Sequence, residues 1–72
     1  MLDTTHAGSR CRTLQFVRTV KGDLPCGSQG TVIHELDNLG CRLVLVHWDT
    51  GIVVSAFPNE IELTRRNAEV VH

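Results

Sequence analysis

The stretch CRLVLVHWDTGIVVSAF, residues 41–57, decides the fold. Apolar side chains run from Leu43 to Val46, reach His47 and Trp48, turn at Asp49-Thr50-Gly51 and resume at Ile52. Both runs have strand length and are rich in β-branched residues, and the Asp-Thr-Gly between them is turn chemistry. The segment therefore reads as a β-hairpin. Side chains alternate across a strand, which puts Val44, Val46 and Trp48 on one face and Leu43, Leu45 and His47 on the other. Burying the one tryptophan of the chain is worth about 2–3 kcal/mol, so the Trp48 face turns inward. His47 is then an outward strand residue among leucines, not a catalytic one.

The returning strand has two registers. A two-residue Thr50-Gly51 loop sets Val53, Ser55 and Phe57 inside, whereas a three-residue loop with Gly51 in the left-handed region sets Ile52, Val54 and Ala56 inside. Phe57 is one of three aromatic residues, with Phe16 and Trp48, and its burial favours the first register. On that reading Leu43, Leu45, His47, Ile52 and Val54 form an apolar face toward solvent, and such faces mark interaction surfaces. The alternative is that the early loop or a tail folds over the face.

Outward from the hairpin, no segment carries helical periodicity. CRTLQFVRTV, residues 11–20, alternates about Leu14 and Phe16 as a first strand. KGDLPCGSQG, residues 21–30, has three glycines and a proline and reads as an irregular loop. TVIHEL, residues 31–36, is a second strand, DNLG a turn, and residues 41–48 and 52–57 are the third and fourth strands. Pro58 stops the fourth strand and fixes φ, so PNE is expected as one turn of 3₁₀ helix. IEL, residues 61–63, makes a short fifth strand with Ile61 and Leu63 inside and Glu60 and Glu62 exposed. Asp49 is expected to cap the hairpin through its side chain.

This order predicts an all-β protein, a small five-stranded SH3-like barrel with a 3₁₀ turn before the last strand. The barrel is expected over residues 9–64, between a disordered N-terminal tail (1–8) and a polar C-terminal tail (65–72).

Seventy-two residues make one domain, near the lower size limit for an unaided core. An apolar content of 42% suits a folded chain, and seven Lys and Arg against eight Asp and Glu leave a net charge of −1. Nucleic-acid binding draws on clustered positive charge. Arg10, Arg12, Arg18 and Lys21 are spread over one early segment and Arg65-Arg66 stand late, without a run. Three cysteines, an odd number, argue against a disulfide framework and for reduced thiols in the cytoplasm. No apolar run approaches membrane-helix length, and the first ten residues lack the pattern of a signal peptide.

Catalytic and metal chemistry find little footing. Cys11, Cys26 and Cys41 lie fifteen residues apart, and with His6, His34, His47 and His72 they form no close pair of the kind structural zinc sites use. No metal or cofactor is expected. A Cys–His nucleophile needs a cleft and an orienting group, while the interior of so small a barrel is filled by side chains. Cys26 is the thiol expected at the surface. Gly27 and Gly30 lack a following helix or a P-loop pattern, and tight-turn geometry accounts for them.

At GSQGTVI (27–33), VLVHWDTG (44–51) and FPNEIEL (57–63), the chain resembles SH3-like families. It is similar to an uncharacterised bacterial family of stand-alone barrels, to the photosystem I subunit IV family and to the variable chain of ferredoxin–thioredoxin reductase. The last two imply a non-catalytic part that docks on or steadies a redox partner. CGSQGTV (26–32) is similar to half of a KOW motif, which implies a weak RNA- or ribosome-associated module. VHWDTG (46–51) resembles a segment of Mib/Herc protein-binding domains.

The expected function is a non-catalytic protein-binding or accessory module, in a redox or other multisubunit complex. It would act through Leu43, Leu45, His47, Ile52 and Val54, with a homodimer through that face as one form of partner. The alternatives are an RNA-associated module using Arg10, Arg12, Arg18 and Lys21, and a metal-binding or thiol-regulated protein.

Overall fold

The computed structural model describes residues 2–65; His72 and the C-terminal tail from residue 66 lie outside the described residues. The protein is all-β. Its elements are β1 (Leu2–Asp3), β2 (Arg10–Thr13), β3 (Val17–Thr19), β4 (Gly22–Leu24), β5 (Gln29–Asn38), β6 (Cys41–Trp48), β7 (Val53–Ala56), a 3₁₀ turn (Pro58–Glu60) and β8 (Ile61–Arg65). Six strands form one antiparallel sheet ordered β7-β6-β5-β2-β8, with β1 also pairing on β5, and β3–β4 form a separate two-stranded ribbon. Among the described residues no helix is long and apolar enough to cross a membrane.

The central hairpin takes the three-residue loop, a correction to the favoured register. Trp48 N–H donates to the Ile52 carbonyl at 2.9 Å, Gly51 N–H donates to the Trp48 carbonyl at 2.8 Å, and Gly51 has φ 103°. Glycine is the loop residue that adopts such a φ without penalty, and it stands third, so turn geometry outweighs burial of Phe57. Val46 consequently faces Val54, and Val44 faces Ala56. Val54 and Ala56 are buried, while Phe57 is 49% exposed.

The core is built from Cys11, Val17, Leu24, Val32, Val44, Val46, Trp48, Val54, Ala56 and Ile61, with Trp48 1% exposed and Ile52 packed against the cluster. Trp48 faces inward as expected; Leu63, expected inside, is exposed.

Among the described residues eight strands stand where five were expected. The first strand breaks because its inward residues are Cys11, Thr13 and Val17, not Leu14 and Phe16, which are exposed. Thr13 is buried because its hydroxyl donates to the Pro25 carbonyl at 2.9 Å and accepts from Ser28 N–H at 3.0 Å, holding the following loop from within. Beyond that break β3 turns back as β4, so residues 22–24 are strand rather than irregular loop. The N-terminal segment, expected to be disordered, pairs Leu2 with Leu36 and Asp3 with Glu35. Gly8 N–H then donates to the Val32 carbonyl at 2.7 Å.

A bulge between Val32 and His34 interrupts the β5–β6 ladder. The extra residue reverses the alternation: Val32 faces the core before it and Glu35, not His34, after it.

Candidate functional site

The outer face of the sheet carries three cross-strand rows, the first wholly apolar and the other two with one apolar residue each. Leu2, Leu36 and Leu43 stand side by side on β1, β5 and β6, and His34, Leu45 and Ser55 make the next row. Thr31, His47 and Val53 follow. Leu43 and Leu45 are half-buried, while His47, Val53 and Phe57 are exposed. A groove of about 480 Å³ runs between this face and β3, with Leu43, Leu45, Val53, Ser55 and Phe57 on one side and Val17–Val20 on the other.

Three of the five expected contact residues, Leu43, Leu45 and His47, are on this face. Ile52 and Val54 are not: Val54 is buried and Ile52 packs on the core, because the hairpin register turns them inward. Val53, Ser55 and Phe57 take their place.

Of the four basic residues singled out in the sequence, two are engaged by carboxylates. Arg10 grips Asp49 through both guanidinium ends, at 2.9 and 2.6 Å, and also donates to Thr31 at 2.9 Å. Arg12 pairs with Glu62. Arg18 and Lys21 are exposed on β3 and the turn after it. The Arg10 hydrogen bonds hold the Asp49 carboxyl below its ordinary range despite some desolvation, and Asp49 in turn raises Arg10. Asp49 thus joins the hairpin to β2 instead of capping its own turn.

At the far end of the core a second group assembles that the sequence did not suggest. Glu35 accepts from Arg42 at 2.8 Å and lies 2.5 Å from His6 Nδ1, and Arg42 also reaches Asp3 at 2.6 Å. Burial works against the charge on Glu35, yet the bonds from Arg42 and His6 outweigh it and hold the carboxyl low. Asp3 is held down at about 2 by hydrogen bonds from Thr5, then by Arg42. His6 and Glu35 border a pocket of about 130 Å³ otherwise lined by Val32, Val44, Pro58, Ile61 and Leu63. Simple alternation in TVIHEL sets Glu35 outside, and only the bulge brings it to the core.

The cysteines are free thiols. Cys11 is buried, and desolvation pushes it up to about 11; Cys26 and Cys41 are exposed. Among the described residues no group of three His, Cys, Asp or Glu side chains is placed to hold a metal ion. Compared with the models of known protein families, with curated proteins and with solved structures, the chain matches none.

Proposed function

We propose that this chain is a small SH3-like barrel acting as a non-catalytic protein-binding module, and that its partner docks in the groove between the outer face of β6–β7 and β3. The architecture is supported by the β3–β4 ribbon after β2, a tight β6–β7 hairpin, and a 3₁₀ turn leading to a last strand that returns beside β2. The observation that carries the function is the groove itself. Its walls are mainly aliphatic, and Phe57, an aromatic side chain, is half exposed at its margin. Aromatic anchors in apolar depressions supply much of the energy of protein interfaces. Both Arg10 and Arg12 are engaged by carboxylates, so the groove is favoured over an RNA surface.

The test is to crosslink partners in native cells, purify the captured protein and measure its Kd for the full chain. Val53→Asp and Phe57→Asp change exposed side chains and should leave the fold intact by circular dichroism. Each should weaken binding at least about tenfold, whereas Arg12→Ala should not. Equal Kd for wild type and both groove variants would move the site elsewhere.

A further inference from the structure

Given a protein-docking groove, we infer the manner of docking: the partner adds one extended segment, as a strand, to the open edge of β7. Among the described residues β7 ends the large sheet and pairs with β6 alone. The bond from Trp48 N–H to the Ile52 carbonyl sets the phase of that ladder. In an antiparallel pair, hydrogen-bonded and non-hydrogen-bonded positions alternate. Trp48–Ile52, Val46–Val54 and Val44–Ala56 are therefore the bonded pairs, and Val53 and Ser55 aim their N–H and C=O groups away from β6. The edge stops at the next outward position, because Phe57 N–H donates to Glu60 Oε1 and its carbonyl accepts from Glu60 N–H, both at 2.9 Å.

Natural proteins blunt such edges with charges, prolines or bulges. Ile52–Phe57 contains none of these. The groove wraps the edge, touching outward Val53, Ser55 and Phe57 and also inward Val54 and Ala56. Its far wall is β3, which among the described residues pairs with β4 only. A slot between two strands suits one extended chain at the ordinary interstrand spacing of about 4.8 Å better than the bulk of a second copy of the domain. Arg18 and Glu60, of opposite sign, are the charged residues on its rim. The occupant is accordingly an uncharged extended segment with small or β-branched residues beside Val53 and Ser55, an apolar side chain toward Leu45 and Phe57, and no proline facing β7. Two outward residues offer a short ladder, so exchange should be fast.

The probe is a set of peptides selected from a random display library on the full chain. Hydrogen exchange should slow at least about tenfold at the Val53 and Ser55 amides when they bind. Ser55→Pro removes an outward N–H without costing a sheet bond, and should cut binding at least about tenfold. N-methylation of alternate peptide residues should abolish binding in one phase and spare it in the other, a result independent of how Ser55→Pro folds. Peptides that perturb Leu45 and Phe57 but leave those two amides exchanging as before would overturn strand addition and keep the docking groove. Failure to select any peptide, or selected peptides that perturb no groove residue, would overturn both readings. Protection of both amides that grows with protein concentration and without peptide would assign the edge to a second copy instead.

Discussion

Gly30 shows how a single residue fixes the approach of two strands. A Cβ added there would stand 2.6 Å from Val46 Cγ1, 2.9 Å from the His47 carbonyl oxygen and 3.0 Å from Trp48 Cα. Two of these neighbours are backbone, so a side-chain shift cannot relieve the crowding. Gly30→Ala should destabilise the fold by about 1–3 kcal/mol, the usual cost of overpacking, with a lowered urea midpoint as the readout; an unchanged midpoint would mean that β5 and β6 can separate freely. In the sequence Gly30 and Gly27 looked alike, two glycines of one turn-rich segment. Only Gly27 takes a left-handed conformation, with φ 88°. Gly30 is a close-approach glycine inside a strand, a role that depends on a partner strand and leaves no local mark. His47 and Trp48 were legible because one alternating strand separates them onto opposite faces.

Between elements, legibility tracked local geometry. β6 and the 3₁₀ turn lie where the sequence put them, because continuous apolar alternation and Pro58 act on their own neighbours. The phase of β7 and the face of Glu35 were missed, since the first depends on loop length and the second on a bulge that only pairing with β6 creates. The β5–β6 turn carries a cost of its own. Leu39 and Gly40 have φ 54° and 78°, the two left-handed positions of a primed turn that asparagine and glycine prefer. Leu39 is 98% exposed and recovers almost nothing by packing. Replacing it, Leu39→Asn, should raise stability by about 1 kcal/mol, seen as a higher Tm; a lower Tm would show that the leucine side chain stabilises the fold after all.

For the whole molecule, the question is what fastens so small a core. Domains of this size commonly add a disulfide or a metal, and here the cysteines are free thiols. Ionic clasps join separate strands: Arg42 meets both Asp3 of β1 and Glu35 of β5, and Arg10 of β2 meets Asp49 beyond β6. The charge count showed only near-neutral balance, because partners such as Arg10 and Asp49 are brought together by folding. These clasps give stability a direction with pH. Asp3, Glu35 and Asp49 all titrate below their ordinary values in the folded protein, so the unfolded chain binds protons more readily. Their contribution is fully present above the unfolded values, at about pH 5 and higher, and is lost as pH falls through the folded ones. Tm should therefore be flat near neutrality and decline from about pH 4 toward pH 2. The triple variant Asp3→Asn, Glu35→Gln, Asp49→Asn should start from a lower Tm at pH 7 and lose less on acidification. Parallel curves for variant and wild type would assign acid sensitivity to other carboxylates and remove the clasps from the account of stability.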